Sequence, residues 1–291
     1  MARPHARALA RLLENLADEA AALPRPAMDA LVPVLVQARR ELDRDLRAWV
    51  ASGRSRARYT AASYRQSLLG IHAVLRTIEL RLGPSLFHAL LTHGAAARAL
   101  ARTHAAREFG AFEPSLLPAV PVRLAATLAT ARHSPLERYS RLSGRYAAEV
   151  LRDLHRELAV GVTRGETGDQ LLERLTATGR AAVRNGLVGG AWIVRAEYRA
   201  ERIVRTELAS AYDTEVGDLY HDLRQDFPDL KRRWDAHADG RLCGRCQELH
   251  GRVIDPAKGE TFEGLDGPPL HPNCRCRAGL WRDEWARLLG E

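Results

Sequence analysis

The chain has 291 residues, which is long enough for two domains. Of these residues 46% are hydrophobic and 27% are charged, and this composition excludes wholesale disorder. No apolar run approaches the length of about 18 residues that a membrane-spanning helix needs, and the amino-terminal segment lacks the apolar stretch of a secretory signal. The formal net charge is +8, and the first 200 residues carry all of the surplus, because residues 201–291 hold 14 basic against 18 acidic side chains. A positive field of this kind attracts nucleic acid or acidic protein surfaces.

The first part of the chain predicts a succession of helices. Apolar side chains recur at helical spacing in residues 9–16 and again in 28–50, and Pro24 and Pro26 are expected to separate the two helices. Further helices are predicted near residues 60–82, 84–109 and 134–160, with a proline-containing connection at 113–121. Because strand signals are nearly absent, we predict a basic all-α domain over residues 1–160.

A second domain is predicted over residues 161–291. A capping-box pattern opens a helix expected over 167–178, and a turn is expected at 185–190. Apolar residues at every third or fourth position then predict a long helix over 191–226. Short strand-like pieces separated by Gly, Pro and Asp form a small β/loop module over 231–282, before a short carboxy-terminal helix. The predicted fold class is therefore mainly α with a small, strand-poor α+β domain at the carboxy terminus.

All four cysteines lie close together in the second domain. They follow the spacing Cys243-x2-Cys246 and then, after an interval, His271-x2-Cys274-x-Cys276. Two short ligand pairs separated by a few tens of residues are typical of a tetrahedral zinc site, and a cytoplasmic location favours a metal over disulfides. Disulfides and buried reduced thiols are the alternatives. Five candidates for four positions leave one spare: we expect Cys243, Cys246 and Cys274 to be constant, with His271 and Cys276 competing for the fourth place.

The predicted metal is structural. The module over 231–282 has too little apolar sequence to fold unaided, and a closed zinc site would supply the missing folding energy. His237 and His250 lie nearby, but the Asp-His pair of a zinc-braced nuclease is missing, and the order of ligands excludes a nucleotide deaminase. The chain also contains no phosphate-binding loop and no nucleophile elbow. We therefore expect no catalytic residues and no enzyme activity.

The ordered motifs of the second domain resemble one known family. The segments are RIVRTELASAYDTEV, then RWDAHADGRLCGRCQELHGRV, then GPPLHPNCRCRAGL. This set is similar to the carboxy-terminal domain of the phage Mu F-like minor head (head morphogenesis) proteins. The resemblance covers roughly residues 155–282, and the closing His-Pro-Asn-Cys-Arg-Cys is its most specific part.

The resemblance assigns family motif positions residue by residue. The matched positions are Arg205, Thr206, Glu207, Trp234, Asp239, Arg241, Gly251, His271, Pro272, Cys274, Arg275 and Cys276. Arg205 and Glu207 lie about 200° apart around a helix, so they are not expected to pair with each other. We expect at least one of them to reach another segment, with the polar turn at Asp239 and Arg241 as the candidate. Trp234 is expected in the core.

The resemblance also implies a function. It implies a structural minor capsid protein of a tailed phage or prophage-derived particle, made in the host cytoplasm and located in the virion, at the portal and the head interior. The implied partners are the portal protein and capsid proteins, without membrane contact, and the implied role is assembly or DNA packaging and ejection. The basic helical half is expected to meet packaged DNA non-specifically, because it has no clustered aromatic residues for stacking. The alternative is a zinc-braced nuclease or a toxin-like enzyme.

Overall fold

The structure is a computed structural model that describes residues 2–49, 61–114, 135–176 and 191–290. It is mostly helical with one small sheet, which confirms the predicted fold class. The six larger helices are α1 (Ala2–Ala22), α2 (Pro24–Trp49), α3 (Ala61–Phe112), α4 (Leu136–Thr163), α5 (Gly168–Thr176) and α6 (Ala191–Leu223). The carboxy-terminal elements are β1 (Lys231–Asp235), α7 (Gly244–Leu249), β2 (Val253–Ile254), a 3-10 turn (Pro256–Lys258), β3 (Arg277–Trp281) and α8 (Asp283–Leu289).

The first two helices are separated next to Pro24, as predicted from the two prolines in this segment. The chain turns at Leu23, and α2 begins at Pro24, a position where the missing N–H of proline costs no hydrogen bond. Leu9, Leu13 and Leu16 are buried along one face of α1, as their spacing predicted. The expected connection at 113–121 and the expected turn at 185–190 lie largely outside the described residues.

One helical prediction was wrong. The expected separate helices over 60–82 and 84–109 form the single helix α3, which continues through Gly83 and Pro84. Packing explains the continuity: a Cβ on Gly83 would lie 3.5 Å from the carbonyl oxygen of Ser143 in α4, so α3 and α4 approach closely here. Leu82 and Leu86 are also buried, and such tertiary contacts outweigh the local helix-breaking tendency of proline.

The structure confirms two patterns predicted from the sequence, the capping box at the start of α5 and the apolar stripe along α6. The backbone N–H of Thr167 donates to Gln170 Oε1 at 2.8 Å, and the N–H of Gln170 donates to Thr167 Oγ1 at 3.3 Å, which completes the capping box. In α6 the predicted apolar stripe is buried throughout. Its members are Val204, Leu208, Tyr212, Val216, Leu219 and Leu223.

The sheet has three antiparallel strands in the order β2-β1-β3, and β1 is its centre. Arg232 of β1 pairs with Ile254 on one side and with Leu280 on the other. Helix α1 packs against β1 and α8, and Trp285 of α8 stacks on Phe112 of α3 with ring centroids 4.6 Å apart. The sheet is thus covered by helices from distant parts of the sequence.

The chain divides into two compact units, each built from separated segments. The first comprises Met1–Ala27, Leu90–Pro135 and Arg202–Glu291, and the second comprises Met28–Ala89 and Leu136–Glu201. The predicted domain boundary at residue 160 stays a prediction. By sequence, the second unit has 21 basic and 14 acidic residues, so it carries seven of the eight surplus charges. None of the described helices is long and apolar enough to cross a membrane.

Candidate metal centre

The first cysteine pair is shaped by the start of α7. Cys243 is the N-cap residue of this short helix, and its Sγ accepts the backbone N–H of Cys246 at 3.4 Å. That hydrogen bond is the main cause of the lowered pKa of the Cys243 thiol, against the opposing effect of burial. Cys246 points inward from the helix and is buried. The turn therefore brings two thiols to one side of the chain, as a Cys-x2-Cys ligand pair requires.

His271 is oriented as a metal ligand. Its Nδ1 lies 2.8 Å from the carbonyl oxygen of Pro272, and a carbonyl only accepts, so Nδ1 carries a proton. The other ring nitrogen, Nε2, lies 3.2 Å from Cys243 Sγ and 3.3 Å from Cys246 Sγ. A backbone acceptor on one nitrogen is the usual way in which a protein presents the other nitrogen to a metal.

The five predicted candidates meet at one place, in two overlapping groups. Cys243, Cys246 and His271 form one group and Cys246, Cys274 and Cys276 form the other, with the ligand atoms of each group within 4.8 Å of one another. The Sγ atoms of Cys246 and Cys274 are 3.9 Å apart, close to the separation of about 3.8 Å that two sulfurs have on one tetrahedral zinc. None of the four thiols is in a disulfide. The donor set fits a soft divalent metal, and these groups can hold one ion.

The protonation of the thiols follows from their contacts with one another. A hydrogen bond with Cys276 is the main cause that lowers the pKa of Cys274, to about 5. The same contact and burial raise the pKa of Cys276, so Cys276 keeps its proton and donates it. Burial also raises the pKa of Cys246 to about 12. Metal binding must therefore displace at least the Cys246 proton, which makes the affinity depend on pH.

The predicted polar turn joins the two halves of the centre. Asp239 accepts a hydrogen bond from Arg275, which lies between Cys274 and Cys276, and its Oδ1 accepts the backbone N–H of Arg241 at 2.9 Å. The ion pair ties the loop before Cys243 to the closing motif. Desolvation opposes ionisation of Asp239, but the Arg241 N–H and the Arg275 charge hold its pKa below the usual value.

The Arg-Thr-Glu segment of α6 lies beside the closing motif. Thr206 Oγ1 donates to the Arg202 carbonyl at 2.7 Å and accepts the backbone N–H of Asn273 at 3.4 Å. Asn273 has a φ of 66°, a left-handed conformation that asparagine tolerates and that turns the chain towards Cys274. Arg205 lines a small cavity together with Cys274 and Cys276, and Glu207 is buried.

The centre rests on a small apolar core. Trp234 is fully buried in it, as predicted, and its ring meets Phe262 edge-on at 5.2 Å. Cys246, Cys274 and Cys276 belong to the same buried cluster. Three of the candidate metal ligands are therefore also part of the apolar core of the module.

An ionic cluster that the sequence did not indicate fixes the sheet against α3. Arg277 of β3 is fully buried and bonds Glu108 of α3 and, at 2.7 Å, Asp235 of β1. Glu108 also accepts the backbone N–H of Leu280 at 3.3 Å. Burial is the main cause of the raised pKa of Glu108, and the charge of Arg277 opposes it. No local motif marks these residues, and only a contact between distant segments identifies them.

Comparison with known proteins supports the resemblance. Residues 152–279 match a family model described as "Phage Mu protein F like protein", which confirms the similarity of the carboxy-terminal region. The matched region contains both cysteine pairs, the Arg-Thr-Glu segment and the polar turn. No curated protein and no solved structure matches the chain. The match suggests a phage head morphogenesis protein that interacts with other head proteins in the virion.

Proposed function

We infer from the match of residues 152–279 to the Phage Mu F-like family that the chain is a structural minor head protein of a tailed phage or prophage-derived particle. In this proposal it associates with the portal and the head interior and aids assembly and the packaging or ejection of DNA. The observation that carries the proposal is the family match. The convergence of its motif residues on one centre supports it, because these residues then serve a shared fold.

The metal in this proposal is a structural zinc ion. Four tetrahedral positions are filled by protein side chains, so no position is left for a reactive water, and the ion joins α7 to the loop before β3. We assign the ligands as Cys243, Cys246, His271 and Cys274. His271 is preferred over Cys276 because its Nε2 already lies within 3.3 Å of two of the thiols, whereas Cys276 serves Cys274 as a hydrogen-bond donor.

The location is tested on purified particles. Particles from cells that carry the gene on its phage or prophage, separated on a density gradient, should contain this chain in a few copies each by quantitative mass spectrometry. Cross-linking should recover peptides joined to the portal protein. A chain that is absent from intact particles while abundant in the lysate would contradict a head component. A chain that is present but joined only to major capsid protein would contradict the portal association.

The alternative, a nuclease, is favoured by one specific contact. His237 lies between two carboxylates, with Nδ1 at 2.9 Å from Asp18 and Nε2 at 3.5 Å from Asp239, and a carboxylate beside a histidine is one element of a general-base site. Asp239, however, also binds Arg275 and the Arg241 backbone, which makes the carboxylate a structural link. We therefore propose that the chain performs no catalytic turnover.

The pure protein is expected to show no catalytic turnover. Incubation of the zinc-loaded chain with duplex DNA and Mg²⁺ or Mn²⁺ should give no cleavage above a buffer control. Glu207→Gln and His237→Ala should change the melting temperature or particle yield instead, because both side chains are held in structural contacts. Metal-dependent cleavage that disappears in either variant, with the circular dichroism spectrum intact, would make the protein a nuclease.

A further inference from the structure

One face of α4 carries a line of arginines. The arginines are spaced by three, four, seven and four residues, so all of them lie within about 60° of one another around the helix. All five are exposed, and the line is about 27 Å long at 1.5 Å per residue. Its members, called the arginine stripe below, are Arg138, Arg141, Arg145, Arg152 and Arg156.

The opposite face of α4 fixes the direction of the stripe. Tyr146, Val150, Leu154 and Leu158 are each at most 2% exposed and lie on the other side of the helix. Rotation of α4 would expose this apolar surface, so the arginines are held towards solvent. Arg145 keeps 80% and Arg156 keeps 65% of its side chain exposed.

The carboxylates of α4 do not cancel the stripe. Asp153 accepts from Arg199 at 2.5 Å and from Arg195 at 3.3 Å, and both of these arginines come from α6. Glu149 contacts Arg145 of the stripe at 3.3 Å and Arg199 at 3.6 Å, and Asp153 also lies 3.7 Å from Arg156. Each of these two carboxylates is therefore shared between the stripe and α6. Together, α4 and the two α6 arginines set seven positive charges against four carboxylates. The seven are the stripe with Arg195 and Arg199, and the four are Glu137, Glu149, Asp153 and Glu157.

Two further acidic residues in the first turns of α6 lie on the side of this helix that faces away from α4. Glu197 and Glu201 lie about 200° to 240° around α6 from Arg195, which faces α4. These two acidic residues therefore do not offset the excess of positive charge on α4 and on the facing side of α6. This excess agrees with the charge balance of the second unit, which is +7 out of the +8 of the whole chain.

We propose that the arginine stripe is a binding surface for the phosphate backbone of duplex DNA. This inference rests on the proposed function, which brings the chain near packaged DNA, and it names the surface that makes the contact. The guanidinium fork matches phosphate oxygens, and a 27 Å line follows about 16 phosphate charges of a duplex. Binding without sequence preference follows, since backbone phosphates carry no base identity.

The chemistry of the stripe favours DNA over an acidic protein. Protein interfaces need buried aromatic or aliphatic anchors, and between the arginines α4 itself exposes only the small residues Ser140, Gly144 and Ala148. Both tyrosines of α4, Tyr139 and Tyr146, are buried, so this face offers no ring on which a single-stranded base stacks.

The test measures binding of the full chain to a fluorescent duplex of random sequence by anisotropy, between about 50 and 200 mM salt. The triple substitution R141Q/R145Q/R152Q should lower the salt slope, d log K/d log[salt], by up to about 2.7, because each lost phosphate contact removes about 0.9. Between the two salt concentrations the native chain should therefore lose up to about 40-fold more affinity than the triple variant. The variant should also bind at least roughly tenfold more weakly at the lower concentration.

Two variants serve as controls. R7Q/R11Q/R25Q removes the same charge from exposed arginines of α1 and α2 and should leave the slope within about 0.5 of the native value. R141K/R145K/R152K keeps the charge and should bind within about threefold of the native chain. Circular dichroism and thermal melts should be unchanged in all three, since every substituted side chain is exposed.

Four outcomes would overturn the inference. They are no duplex binding by the native chain at low salt, an unchanged slope in R141Q/R145Q/R152Q, an equal loss in both glutamine variants, and a loss of portal binding in the stripe variant with DNA binding intact. The last outcome would assign the stripe to an acidic protein. The proposed function is judged separately by the presence of the native chain in purified particles, so its failure leaves the anisotropy result interpretable.

Discussion

Arg277→Met is expected to lower the free energy of unfolding by about 3–5 kcal/mol at neutral pH. The guanidinium is fully buried and binds Glu108 of α3 and Asp235 of β1, so its removal leaves two buried carboxylates that face each other without a cation. Loss of the Arg277 charge removes the interaction that opposes the raised pKa of Glu108, so this pKa should rise further above that of the unfolded chain. A raised folded-state pKa means that the folded state holds more protons, so stability falls as pH rises through it. The deficit of the variant should therefore be larger at pH 8 than at pH 5.

Urea denaturation, followed by tryptophan fluorescence at both pH values, measures this effect. Arg245→Gln is the matched control: Arg245 is 61% exposed and its partner Glu263 is 32% exposed, so breaking this surface pair should change stability by only about 0–1 kcal/mol. A loss in Arg277→Met no larger than that of the control would show that the buried cluster adds nothing to the fold. A deficit that grows at low pH would contradict the assignment of charged carboxylates.

Sequence reasoning reached those features that are encoded locally. The cysteine spacing, the capping box at Thr167 and the apolar period of α6 each involve residues only a few positions apart, and each has a direct physical meaning. The two cysteine pairs were predicted to lie close together because one tetrahedral metal ion needs ligands from both pairs. The contact of Asp239 with Arg275 was not predicted, although both residues had been singled out, because the spacing alone does not tell which arginine a carboxylate meets.

Features that depend on distant contacts were not predictable in this way. Glu108 and Arg277 are 169 residues apart, and neither stands in a recognisable pattern. The continuity of α3 through Gly83 and Pro84 depends on the approach of Ser143, which no local rule contains. The arginine stripe was visible only as an excess of charge, because its meaning requires knowing which face of α4 is buried.

Cys246→Ser is expected to abolish metal binding and to unfold residues 231–282. Cys246 is the one residue shared by both groups of possible ligands, and its side chain is buried beside Trp234 in the core of the module. A structural zinc site contributes an apparent free energy on the order of 10 kcal/mol, which exceeds what this small apolar core supplies. The metal content should fall from one zinc per chain to near zero, and tryptophan emission should shift to the red as Trp234 becomes exposed. Most of the helical circular dichroism should persist, because the helices outside 231–282 bury apolar stripes of their own.

The control for this loss is Cys276→Ser. If His271 is the fourth ligand, the serine hydroxyl replaces the thiol as hydrogen-bond donor to Cys274, and the variant should keep a full equivalent of zinc by elemental analysis. A strong chelator added to the native chain should reproduce the fluorescence shift of Cys246→Ser, since both remove the same ion. A native chain that is folded and free of metal, with its thiols in disulfides, would refute the zinc site. Loss of zinc in Cys276→Ser with retention in His271→Ala would keep the site but make Cys276 the fourth ligand in place of His271.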